Sequence, residues 1–155
     1  MNLHDILQTP DEHVRFAVYL DKLQQVAVPD EVDLVARVLT DPDRTMAQSA
    51  VLRHLDGRAA YLHPGPGYEA WAQAMTQATI DHPFLAQRLR EWSLLRAISL
   101  KLPWQPGDLL ESSNWLQLKT AAGTNTEAIE ILAEAGRTKR IRHAARTSLN
   151  HRSVS

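Results

Sequence analysis

The sequence predicts an all-α fold of seven or eight helices stacked as antiparallel hairpins. Three observations carry that expectation. Apolar residues recur at three- and four-residue spacing along nearly the whole chain. No run of β-branched residues alternates with polar ones between turn signals. The interruptions are chemically sharp, each built from proline, glycine or a capping side chain.

Thr9-Pro10-Asp11-Glu12 opens the first helix, with Thr9 in the capping position, Pro10 at the first helical position and Glu12 where a capping box wants its carboxylate. Phe16, Leu20, Leu23 and Ala27 then share one face. Val28-Pro29 ends it, because proline lacks an amide hydrogen and disfavours helical backbone before it. A second helix is expected over 30–40, with Val32, Val35, Val38 and Leu39 apolar. Asp41-Pro42-Asp43 restarts the chain, Asp41 as the cap and Pro42 at the first position. The third helix turns Ala47, Ala50, Val51 and Leu55 inward and is expected to stop at Asp56-Gly57 or shortly after. His63-Pro64-Gly65-Pro66-Gly67 is a loop.

Tyr68, Trp71, Ala72, Met75 and Thr79 mark a fourth helix. Asp81-His82-Pro83 caps a fifth, which runs to about Leu102 and is apolar nearly all round from Trp92 onward, the pattern of a central helix. Leu102-Pro103-Trp104-Gln105-Pro106-Gly107 is a rigid break, with Trp104 expected as a plug over the core and Trp71 and Trp92 inside it. A sixth helix over 108–122 ends at Gly123. Thr124-Asn125-Thr126-Glu127 reads as another capping box, opening a seventh helix that stops at Gly136; the last helix covers about 138–150.

The 155 residues, 44% hydrophobic and 23% charged, fit one domain spanning 1–155 with a core that needs no staples. Without cysteine there are no disulfides and no cysteine-ligated zinc or iron–sulfur sites, which fits a reducing, cytoplasmic setting. The first five residues lack the basic and apolar regions of a signal peptide. No stretch approaches the ~18 apolar residues of a membrane span, so no membrane partner is expected. Thirteen arginines against four lysines, with abundant alanine, match the coding bias of a GC-rich bacterial genome.

The last two helices resemble a HEAT-type hairpin. The resembling residues are Ala128-Ile129-Glu130-Ile131-Leu132 in the first, then Arg137-Thr138-Lys139-Arg140-Ile141-Arg142-His143-Ala144-Ala145 with Leu149 in the second. The stretch from Val38 to Leu55 echoes them at an offset of 93 residues, with Arg-Thr at 44–45 and again at 137–138. That offset is about two HEAT or armadillo periods of roughly 40–47 residues. The resemblance covers mainly residues 30–58 and 125–150. It implies a right-handed solenoid of stacked hairpins acting as a scaffold for protein or nucleic acid; an irregular antiparallel bundle, which gives similar patterns, is the alternative.

Charge is distributed unevenly. Residues 1–43 carry nine acids and three bases, whereas residues 137–155 carry six bases and no acid. At 100° per residue, Ile141, Ala144, Ala145, Ser148 and Leu149 form the inward face of the last helix, and Lys139, Arg142, His143, Arg146 and Asn150 line the opposite one. A base in a helix's first turn costs about 0.3–1 kcal/mol against the macrodipole. A phosphate, an acidic partner, or Glu127, Glu130 and Glu134 on the preceding helix would offset that cost. The expected binding residues are Arg137, Lys139, Arg140, Arg142 and Arg146, facing first an acidic protein surface and second DNA or RNA. No aromatic residue interleaves with them, so base stacking is not expected there.

Catalytic signatures are missing. The seven histidines never form HxxxH or HExxH, and no metal or cofactor is expected. His54 and Asp56 make at most a local pair. Ser112, Ser113 and Ser148 lack the G-x-S-x-G context of a nucleophile elbow, and Pro66 removes a donor that a phosphate loop would need. The expected class is therefore a non-enzymatic interaction module. A nucleic-acid-binding helical repeat is the second expectation, and an enzyme whose site assembles from distant residues the third.

Overall fold

Helix boundaries in this chain follow side-chain caps more closely than apolar periodicity. The computed structural model describes residues 11–154. Among them are nine α-helices and no strand, so the fold is all-α. The first helix, α1 (Glu12–Gln25), starts at Asp11, whose carboxylate accepts the His13 amide at 2.8 Å. Thr9 and Pro10, expected as cap and first residue, lie outside the described residues. The buried residues of α1 are Arg15, Tyr19 and Leu23, while Phe16 and Leu20 are half-buried and Ala27 is exposed. The face is turned by Asp41, which draws Arg15 and Tyr19 inward.

Pro29 sits in a 3-10 turn, Val28–Asp30, that leads into α2 (Glu31–Val38). The next cap is Asp43 rather than Asp41. Asp43 accepts the Met46 amide at 3.0 Å and opens α3 (Arg44–Leu62). Asp41 is buried instead, accepting Arg15 Nε at 2.9 Å, Tyr19 Oη at 2.7 Å and the Asp43 amide at 2.9 Å. α3 runs through Gly57 without a break, so the expected stop there does not occur. α4 (Tyr68–Ala78) and α5 (Pro83–Ser99) follow.

α5 ends three residues short of Leu102. Lys101 takes a left-handed backbone, φ 58°, and the Leu102 amide returns to the Ala97 carbonyl at 2.8 Å, a Schellman-type closure. The expected sixth helix is two, α6 (Pro106–Glu111) and α7 (Asn114–Ala121). Ser112 Oγ bonds the Leu109 carbonyl at 2.6 Å, and Ser113 Oγ accepts the Leu116 amide at 3.3 Å. Serines compete for backbone groups in this way and so terminate and restart helices. Glu91 holds the junction, accepting the Ser113 amide at 2.8 Å and its hydroxyl at 2.5 Å. Asn125, not Thr124, caps α8 (Thr126–Ala135), and Thr138 caps α9 (Lys139–Val154), which extends past the expected end at Asn150.

Two compact units result, one ending at Leu89 and the other beginning at Arg90, with the boundary inside α5. In the first, α1 packs on α3 and α2 on α4, around fully buried Tyr19, Val35, Val51, Leu55 and Leu85. In the second, α9 packs on α8 and α7 and α6 packs on α8, around Ile98, Leu109, Ile129, Leu132 and Ile141, with half-buried Trp104 against that cluster. Trp71 and Trp92 are both buried.

Candidate functional site

The hairpin α8–α9 is set by close approach at Gly136. A Cβ there would lie 2.7 Å from Ile141 Cγ2 and 2.7 Å from the Leu132 carbonyl oxygen, so only glycine fits. Its φ of −55° is open to any residue, and space rather than handedness demands the glycine. Ile141 and Ala145 on α9 are fully buried, and Ser148 Oγ donates to the Ala121 carbonyl at 2.6 Å. Arg152 bonds the Gly123 carbonyl at 2.7 Å and the Thr124 carbonyl at 2.9 Å, covering acceptors beyond the end of α7.

The five predicted binding residues separate into two groups. Arg137 and Arg142 fasten the turn. Arg137 donates from its amide to Gln117 Oε1 at 2.9 Å and from Nη1 to the Ser112 carbonyl at 2.9 Å. Arg142 Nη1 donates to the Gly136 carbonyl at 2.7 Å, and the residue is half-buried rather than outward. Lys139, Arg140 and Arg146 are exposed, with exposed His143 beside them. No carboxylate among the described residues forms an ion pair with any of the five, and Glu127, Glu130 and Glu134 are exposed without pairing to them. Lys139, His143 and Arg146, at i, i+4 and i+7, make a stripe about 10 Å long.

A second polar centre was missed by sequence reasoning. Glu31, at the start of α2, is 2% exposed. Its Oε2 accepts from His54 Nε2 at 2.6 Å, Arg58 Nε at 3.2 Å and Trp71 Nε1 at 3.0 Å. Burial alone would raise its pKa. The donors from His54 and Trp71 and the charge of Arg58 outweigh that and hold it down to about 2. His54 and Asp56, in sequence at most a local pair, diverge: two residues apart they point to different helix faces, and Asp56 pairs with Arg88 at 3.2 Å. Twenty-three residues separate Glu31 from His54 and 40 separate it from Trp71, so no local motif joins them. The available signal was an acid at a helix start followed by an apolar stripe that leaves it on the inward side.

His82, at the start of α5, is also buried, and its Nδ1 has no hydrogen-bond partner among the described residues. Burial lowers its pKa, the Arg44 charge lowers it further, and Asp81 opposes them. No group of three or more His, Asp or Glu among the described residues is placed to hold a metal ion. None of the described helices is long and apolar enough to cross a membrane. No family model matches the sequence, and no match was found among curated proteins or solved structures.

Proposed function

We propose that this chain is a non-enzymatic interaction module that presents α9 to an acidic protein surface in a reducing, cytoplasmic setting. The observation that supports it is the trio Lys139, Arg140 and Arg146, exposed on one helix and without carboxylate partners among the described residues. Lys139 and Arg140 stand in the first turn of α9, where each cation costs about 0.3–1 kcal/mol against the helix dipole. An anionic partner cancels that cost. Arginine forks engage carboxylates two bonds at a time, and the anchored turn beneath them limits the entropy lost on binding.

The helix pairs α2–α3 and α8–α9 serve here as two units of a HEAT-like repeat. A protein partner is favoured over nucleic acid because three cations are few for phosphate recognition, and none has an aromatic neighbour in sequence on which a base would stack.

Lys139→Glu, Arg140→Glu and Arg146→Glu together test it. The unaltered chain is expected to bind poly-glutamate in a salt-sensitive manner, and the triple variant to lose at least tenfold in affinity with an unchanged thermal melt. Tighter binding to duplex DNA, with a log–log salt slope near −3, transfers the function to nucleic acid. Binding to neither probe removes the module.

A further inference from the structure

A groove of about 480 Å³ lies in the first unit between α1 and α3. Leu20, Leu23 and Gln24 line it from α1, and Arg53, His54, Gly57 and Arg58 line it from α3. Its size falls within the roughly 300–1,000 Å³ of small-ligand clefts. The α1 side is mostly aliphatic, the α3 side is cationic, and no acidic side chain among the described residues lines it. The nearest carboxylate of the cluster, Glu31, is buried and already committed to His54, Arg58 and Trp71.

That commitment orients the cationic side. Glu31 holds His54 by Nε2 and Arg58 by Nε. The other ring nitrogen of His54 and the two terminal nitrogens of Arg58 make no hydrogen bond to any described residue. A buried carboxylate fixing the far edge of a cation is the support that a binding side chain needs in order to be held in one rotamer.

Gly57 belongs to the same lining. It sits inside a 19-residue helix, where glycine is the poorest former after proline. A Cβ at this position would meet nothing within 4 Å. No tight packing requires the glycine, in contrast to Gly136. What its missing side chain leaves is the open groove.

We infer that this groove binds a small organic acid, the carboxylate against Arg53, Arg58 and His54 and a short apolar tail along Leu20 and Leu23. Planar guanidinium forks match a carboxylate bidentately, and the aliphatic side offers the tail a dry surface. All its described lining residues belong to the first unit, and octanoate binding there does not depend on what α9 binds.

Octanoate is the probe, titrated into the full chain and followed by NMR. The His54 ring and the Leu20 and Leu23 methyl signals are expected to move together along one saturating curve. Octylammonium, with the same tail and the opposite charge, is expected to leave them in place. Gly57→Leu fills the groove from a position with open space and keeps the fold; it is expected to weaken octanoate binding at least tenfold. Arg53→Gln, at an exposed position, is expected to do the same. The α9 triple reversal leaves octanoate binding unchanged. Absence of saturation, equal binding of octylammonium, or undiminished binding by either groove variant overturns the inference.

Discussion

At the residue scale, one oxygen atom ties three helices: Oε2 of Glu31 on α2 accepts from His54 and Arg58 on α3 and from Trp71 on α4. The folded-state pKa of about 2 lies below the ordinary 4.5, so the group adds stability above pH 4.5 and loses it as pH falls toward 2. A displacement of that size corresponds to about 3 kcal/mol. Glu31→Gln keeps the shape and removes the charge, leaving Arg58 and His54 beside an amide. Urea denaturation is expected to show a loss of about 3 kcal/mol at pH 7, shrinking strongly at pH 3, where the native carboxyl gains protons on unfolding. An equal loss at both pH values would mean that the contact stabilises by shape and not by charge. Gly136 gives a steric counterpart. Gly136→Ala forces a Cβ to 2.7 Å from a side-chain methyl and from a backbone oxygen. Overpacking of this kind costs about 1–3 kcal/mol, and calorimetry is expected to show the lowered Tm.

At the element scale, the helices were legible in sequence and their ends only partly so. Periodicity located α3, α4, α8 and α9, because Ala47, Val51, Leu55, Met75, Ile129 and Ile141 are inward and apolar and need nothing beyond local spacing. Caps were harder to assign. Asp41 and Asp43 are chemically equal candidates two residues apart, and the choice depends on Arg15 and Tyr19, which lie in another helix. The break between α6 and α7 was hidden because Ser112-Ser113 is compatible with a helix until Glu91 captures Ser113. The basic stripe of α9 was legible as a charge pattern, but the inward turn of Arg142 was not, since a backbone carbonyl at Gly136 has no sequence signature. The end of α5 carries its own test. Lys101 occupies the left-handed backbone at φ 58°, which costs a non-glycine residue about 1 kcal/mol. Lys101→Gly is expected to raise stability by about that amount in chemical denaturation. A neutral or destabilising result would show that the lysine side chain supplies a compensating interaction.

At the scale of the whole molecule, the two units are built from different polar chemistry. The first holds buried Glu31 and Asp41 and the buried imidazole of His82. The second ties itself mostly to backbone carbonyls, through Asn125 to Ile98, Arg137 to Ser112, Ser148 to Ala121 and Arg152 to Gly123. Carbonyl acceptors do not titrate, and Glu91 is the one carboxylate among the ties described for that unit. Acid therefore acts unevenly. His82 has its folded pKa depressed below 6.5, so its contribution is complete above that value and fades as pH falls beneath it. Asp41 is raised by burial but lowered on balance by Arg15, Tyr19 and the Asp43 amide, so its contribution is complete above 3.8 and fades below, after that of Glu31 has begun to fade beneath 4.5. All three losses fall on residues before Leu89. Hydrogen exchange, corrected for intrinsic rates and followed from pH 7 to pH 3, is expected to show protection falling first in α1 through α4 while α7 through α9 keep theirs. His82→Gln removes the earliest of the three losses, and its profile is expected to be flatter than the unaltered chain's between pH 6.5 and pH 5. Simultaneous loss across α1 through α9 would mean that the two units unfold as one, with acid sensitivity shared through α5 instead of confined to one side of it.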